Sequence, residues 1–149
     1  MGRRYSIDGA QAVASPTDTV LGLTSTSAIR PAVYDVVFGS SATPADNALN
    51  WLMERYTAAG TSTAVTPQPL DPDDPAATST AGEDHTAEPT YTADSVLLNI
   101  SANQRSTQRW VASPGGEIIL PATAANGVGL EPVHSSFTGS VEAMLHFEE

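Results

Sequence analysis

The stretch "TGSVEAMLHFEE" near the end of the chain alternates along its length. Val141, Ala143, Leu145 and Phe147 take one set of positions, and Glu142, Met144, His146 and Glu148 the other. A period of two with one apolar face predicts a half-buried antiparallel strand. Weaker forms of the pattern recur upstream. "RPAVYDVVFGS" carries Val33, Val36, Val37 and Phe38, a β-branched and aromatic run, and Pro31 marks an edge or a strand start because it has no N–H to donate. "RRYSIDGAQAVA" alternates in part through Tyr5, Ile7, Ala10 and Ala12. "DTVLGLTST" offers Val20 or Leu21 with Leu23, and "YTADSVLLNIS" sets Val96, Leu98 and Ile100 against Leu97. "RSTQRWVASPGGEIILPA" reads as two strands around the turn signal Pro114-Gly115-Gly116, and "NGVGLEPVHSS" precedes the final strand.

One segment, "TPADNALNWLMERYTAAG", supports two readings. As a helix it has Thr43 as N-cap, Pro44 at the first position, a face of Leu49, Leu52, Met53 and Tyr56, and Gly60 as a stop. As a strand it is apolar on both sides, with Leu49, Trp51 and Met53 on one and Leu52 and Tyr56 on the other. Such a strand would be covered on both faces, for instance between subunits. Local signals alone favour the helix.

From Asp71 to Pro89 the chain offers little to bury, and Pro72, Pro75 and Pro89 push their preceding residues toward extended geometry. Residues 70–89 are therefore expected to form a long Pro/Asp-rich surface loop. Residues 1–12 form either an N-terminal arm or a strand. Roughly nine or ten strands separated by Gly/Pro turns predict one all-β domain over residues 1–149, a jelly-roll-like antiparallel β-sandwich.

Composition narrows the function. The 149 residues carry a formal charge of −11, and all six basic residues are arginine. Phosphate backbones and anionic membrane surfaces repel such a chain, so neither nucleic acid nor membrane is an expected partner. With no cysteine, disulfides, thiolate metal sites and cysteine nucleophiles are excluded. No apolar run reaches the roughly 18 residues of a membrane span, and no apolar stretch follows Arg3 and Arg4 as a secretory signal would require.

Catalytic signatures are sparse. His85 falls in the expected polar loop, His146 on the polar face of the last strand, and no two of the three histidines stand at metal-ligand spacing. All three read as surface histidines. Asp71, Asp73 and Asp74 suggest calcium, but Pro72 and Pro75 interrupt them and the EF-hand pattern is absent. Neither a G-x-S-x-G elbow nor a phosphate loop occurs. No catalytic residue, metal ligand or cofactor is assigned. Trp51 and Trp110 offer a sugar-stacking platform, though a Trp among apolar strand residues is more often core or interface. Arg55, Arg105 and Arg109, with Trp110 in "NQRSTQRW", have the composition of a protein-contact segment.

Taken together, "IRPAVYDVVFGSSATPADNALNWLMERYTAAGTSTAVTPQPLDPDDPAA", "HTAEPTYT", "QRWVASPGGEIILPATAANGVGL" and the ending "HFEE" resemble a group of small structural proteins of tailed bacteriophages. The likeness covers residues 30–149 and has no catalytic motif. It implies an all-β chain, which favours the strand reading of 47–57. It also implies a virion component assembled in the host cytoplasm, and a capsid decoration protein bound to the major capsid protein. The expected assembly is a homo-oligomer, with a trimer as first guess. Residues 49–56 would be buried partly between copies. The arm with Arg3 and Arg4, or the 70–89 loop, would reach a neighbouring capsid subunit. A carbohydrate- or receptor-binding module, a hydrolase using His134, and a tail or filament component are the competing classes.

Overall fold

In the computed structural model, which describes residues 2–15, 17–134 and 136–149, the alternating segments become strands and no helix forms among the described residues. Strand order and pairing divide them into two antiparallel sheets that make a β-sandwich. The first sheet holds β1 (Arg4–Val13), β3 (Ala32–Ala42), β6 (Gln68–Pro69), β9 (Gln108–Val111), β10 (Ile118–Ile119) and β12 (Gly139–Glu148). Its order is β6-β1-β12-β3, with β9 and β10 both on the far side of β3. The second sheet holds β2 (Leu21–Thr24), β4 (Ala48–Ala58), β5 (Thr61–Val65), β7 (Thr80–Ala87), β8 (Thr90–Asn103) and β11 (Gly127–Val133), in the order β5-β7-β2-β11-β4-β8.

Strict alternation fills the space between the sheets. On β12, Val141, Ala143, Leu145 and Phe147 are all buried, as the sequence pattern requires. Across the sandwich they meet Leu21, Leu23, Leu49, Trp51, Met53, Val128 and Leu130 in one cluster. Trp51 lies with its ring centroid 4.8 Å from that of Phe38, so β3 and β4 are joined through an aromatic pair.

Several expectations change. On β1 the inward series is Tyr5, Ile7, Gly9, Gln11 and Val13, while Ala10 and Ala12 face out. Alanine is too small to reveal its face, and the strand keeps its alternation without a break. The ambiguous 47–57 segment is the strand β4, flanked by β11 and β8; Leu49, Trp51, Met53 and Tyr56 are buried within the chain, while Leu52 is half-buried on the outer face. On β8, a register shift opposite Met53 and Glu54 leaves Leu98 and Ile100 against the core and Val96 45% exposed. The loop expected at 70–89 is shorter, because residues 80–87 form β7 between β5 and β2. The turn at Ser113–Gly116 exists, with Gly115 at φ +79. It does not make a hairpin: β9 and β10 run on along β3 in one direction, and the turn bulges out between them.

Candidate functional site

Two groups of polar side chains gather on the outer faces of the sandwich. The first lies on the β6-β1-β12-β3 sheet. From Val141 to His146, β12 pairs with β3 one-to-one, and a register shift between His146 and Phe147 then admits Tyr34 as an extra residue. The shift sets Asp35 opposite His146 on the outer face, while Val33 and Val36 remain in the core. Asp35 is 4% exposed. Arg109, from β9, closes on it with both arms of its fork, Nε to Oδ1 at 2.9 Å and Nη2 to Oδ2 at 2.6 Å. His146 Nδ1 donates to the same Oδ2 at 3.3 Å.

These contacts, the Arg109 hydrogen bonds first, hold the Asp35 carboxyl below its ordinary range despite the opposing effect of burial. The group continues sideways. The His146 ring centroid is 6.0 Å from that of Tyr34, and the Arg4 guanidinium stands 5.6 Å from the Tyr34 centroid. Arg4 Nε then donates to Glu148 Oε2 at 3.1 Å. Glu148, Arg4, Tyr34, His146, Asp35 and Arg109 thus form one chain of contacts across four strands.

The second group lies on the outer face of the other sheet, over a row of glycines. Gly82, Gly22 and Gly129 are register neighbours on β7, β2 and β11. Over this bare backbone lie His85, Tyr56 and Tyr91: a Cβ on Gly22 would stand 3.3 Å from the Tyr56 hydroxyl and 3.4 Å from His85 Nε2, and one on Gly129 only 2.2 Å from the Tyr91 hydroxyl. Thr19 ties the group together. Its carbonyl accepts from His85 Nδ1 at 3.0 Å, its N–H donates to Glu88 Oε2 at 3.1 Å, and its hydroxyl bonds Glu88 and also the Tyr91 hydroxyl, the latter at 2.8 Å. Tyr56 shares a 2.7 Å hydrogen bond with Thr24, and burial pushes its hydroxyl up to about 12. Glu131, 5% exposed, sits opposite Leu52 on this face. Burial first, then the charges of Glu54, Glu88 and Asp18, push its carboxyl up to about 7.

The histidine reading needs correction at His85. It lies in β7, not in a loop, and is 5% exposed. Burial lowers its pKa below the ordinary histidine value, against the opposing effect of the Thr19 carbonyl at Nδ1. No local signal could reveal this, because the cover comes from Thr19 and Tyr56, distant in sequence. His134 is half-buried and accepts the Phe137 N–H on Nδ1 at 2.7 Å. His146 stands on the outer face as expected.

The expected contact residues separate into three kinds. Arg4 and Arg109 belong to the outer-face chain, whereas Arg3 lies 3.8 Å from Asp74 and its side chain is 59% exposed. Of the arm and the strand expected at 1–12, it is the strand that forms, as β1, and the backbone groups of Arg3 and Glu149 exchange hydrogen bonds at 2.9 Å beyond it. Arg105 is exposed in the β8–β9 turn. Trp51, 3% exposed, is a core residue, which corrects its placing as a contact and removes it from any sugar platform. Arg55 is half-buried and donates Nη1 to the Ile119 carbonyl at 3.0 Å, tying the two sheets together. Trp110 is half-buried against the core. Sequence reasoning missed Tyr34 and Asp35. The one signal was an acid inside the run Val33–Phe38, a position that needs a partner when buried.

Among the described residues no group of three or more His, Asp or Glu is arranged to hold a metal ion. Comparison of the chain with protein-family models, with curated proteins and with solved structures gives no match.

Proposed function

We propose that this chain is a non-enzymatic structural protein of a tailed-phage virion, a decoration protein that docks on the major capsid protein through the outer face of the β6-β1-β12-β3 sheet. The observation that carries this reading is Arg109. Its side chain is 62% exposed, yet two hydrogen bonds to a buried carboxylate fix its pose. A cation held in place before the partner arrives loses little side-chain entropy on binding. Arg4, stacked near Tyr34 and bonded to Glu148, is fixed in the same manner on the same face. Arginine beside tyrosine is the composition of protein-binding hot spots.

The frame suits the role. We read the sandwich as a jelly roll: β1-β12-β3-β9 form one sheet and β2-β11-β4-β8 the other, and β5 to β7 are an insertion that widens the second sheet. As a homo-oligomer, in the first instance a trimer, it would touch a repeating lattice at several points, and modest contacts would then sum to stable attachment. The charge of −11 keeps unbound copies apart. Co-sedimentation with phage heads lacking the chain tests the proposal. Wild type binds, while Arg109→Lys, which keeps the charge but loses the fork, binds at least about tenfold more weakly. Equal binding by the two removes the outer face as the docking surface.

A further inference from the structure

The edges of the two sheets are not alike. A free edge shows a row of N–H and C=O groups with which another strand can pair, and proteins blunt it with short strands, charges, prolines or bulges. Here the edge strands β6, β5, β9 and β10 are short, of 2, 5, 4 and 2 residues. Where β6 leaves β1 uncovered, the Glu83 carboxylate takes the Ala10 N–H at 2.7 Å. β8 is the exception. It runs for 14 residues with β4 on one side and, among the described residues, no strand on the other.

The second half of β8 lacks these blunting devices. Residues 96–103 include no charged residue, proline or glycine. Residues 98–103 pair with β4 one-to-one, without a bulge. No loop among the described residues bonds the backbone of 96–102 from the open side. Apolar side chains along this edge are also incompletely covered. Leu98 and Ile100 stand opposite Met53 and Trp51, which are buried, yet are themselves only half-buried. Leu97, which the register shift leaves without a partner on β4, is half-buried beside them, and Val96 is 45% exposed. β9 lies on the same flank, beyond β3 as β8 lies beyond β4, since Phe38 of β3 meets Trp51 of β4 across the sandwich. Its Trp110 is half-buried as well.

Charge selects what covers this edge. The chain carries −11, so copies of it repel one another over most of their surface. Residues 95–104 are uncharged, with Asp94 just before them and Arg105 just after. Antiparallel pairing of two such strands is self-complementary: the Asp94 end of each copy lies beside the Arg105 end of the other. A twofold axis perpendicular to the sheet keeps like faces together, so Leu98 and Ile100 of both copies meet on the core side, and Asn99 and Ser101 on the outer side. We infer that β8 is a self-association edge, on which a second copy of this chain adds its own β8 antiparallel and joins the two second sheets into one. The contact does not rest on the virion reading. It uses a sheet edge, whereas co-sedimentation with heads tests a sheet face, so the two fail separately. An isologous seam joins copies in twos, and a trimer would be doubled by it.

Sedimentation velocity of the isolated chain gives a mass of two copies or an even multiple. Because the chain has no cysteine, single cysteines report the seam directly. Asn99→Cys and Ser101→Cys, at exposed positions of β8, cross-link to a second copy with a short bismaleimide, while Thr63→Cys, exposed on the edge strand β5, does not. Asn99→Lys/Ser101→Lys sets like charges against each other across the seam and weakens the pair by about tenfold or more. General charge repulsion makes the reverse prediction, because added lysines lower the net negative charge. A monomer, an odd-numbered oligomer, equal cross-linking at Thr63→Cys, or a pair left unchanged or strengthened by the two lysines would overturn the inference.

Discussion

Arg109 Nη2 lies 2.6 Å from Asp35 Oδ2, joining an exposed guanidinium on β9 to a carboxylate that is 6% exposed on β3. The pair reconciles two opposed demands. Burial of Asp35 disfavours its charge, and the fork of Arg109 restores it. The carboxylate then holds the arginine in one pose at the surface.

Because the Asp35 pKa is lower folded than unfolded, its contribution to stability is present above the ordinary carboxylate pKa of 3.8 and is lost as pH falls through the folded value. Asp35→Asn should therefore lower the melting temperature by several degrees at pH 6 and converge on wild type at the acid end. Thermal melts across that range decide it. A difference that persists unchanged in acid would mean that shape, not charge, holds Arg109.

Glu131 has the opposite sign. Its folded pKa of about 7 exceeds the ordinary 4.5. The neutral form suits the fold, so stability is fully present below pH 4.5 and declines as pH rises toward 7. Glu131→Gln should be more stable than wild type at pH 8, by on the order of 2–3 kcal/mol, and nearly equal at pH 4.5. Urea unfolding at the two pH values measures the difference.

Two glycines of β11 make a steric prediction. A Cβ at Gly127 would meet the Leu23 carbonyl at 2.2 Å and the Tyr56 ring at 2.4 Å, whereas one at Gly129 meets the end of Tyr91. Gly127→Ala should destabilise by about 2–3 kcal/mol, since backbone cannot step aside. Gly129→Ala should be harmful alone and better tolerated in a Tyr91→Ala background. A double-mutant cycle by chemical denaturation tests this coupling.

The two tryptophans should behave differently. Trp51→Ala empties a core position against Phe38 and should cost about 3–5 kcal/mol. Trp110, half-buried on the short β9, should cost clearly less when truncated. Comparable losses in denaturant would contradict the placing of Trp51 alone at the centre of the core.

Much of the fold was legible in the chain. β12 and β3 declared themselves because large apolar residues recur with few exceptions, and the acidic, proline-punctuated stretch after Leu70 is indeed loop as far as Ser79. What failed has common causes. Ala10 and Ala12 carry no facing information, so β1 was read in the wrong phase beyond Ile7. β4 holds apolar residues at helical spacing, and only pairing with β8 and β11 makes it a strand. β7 is polar because its strand partners, and not its own side chains, bury it. Of the outer-face chain, Arg4 and Arg109 were visible as unusual arginines. Tyr34 and Asp35 were not, because a register shift between strands distant in sequence sets Asp35 beside His146.

Cryo-electron microscopy of the assembled particle tests the central claim most directly. The account predicts density for the sandwich on the head shell, with Arg4, Tyr34 and Arg109 turned toward the major capsid protein. Particles that lack this chain, or that hold it by the tyrosine-covered face of the opposite sheet, would contradict it.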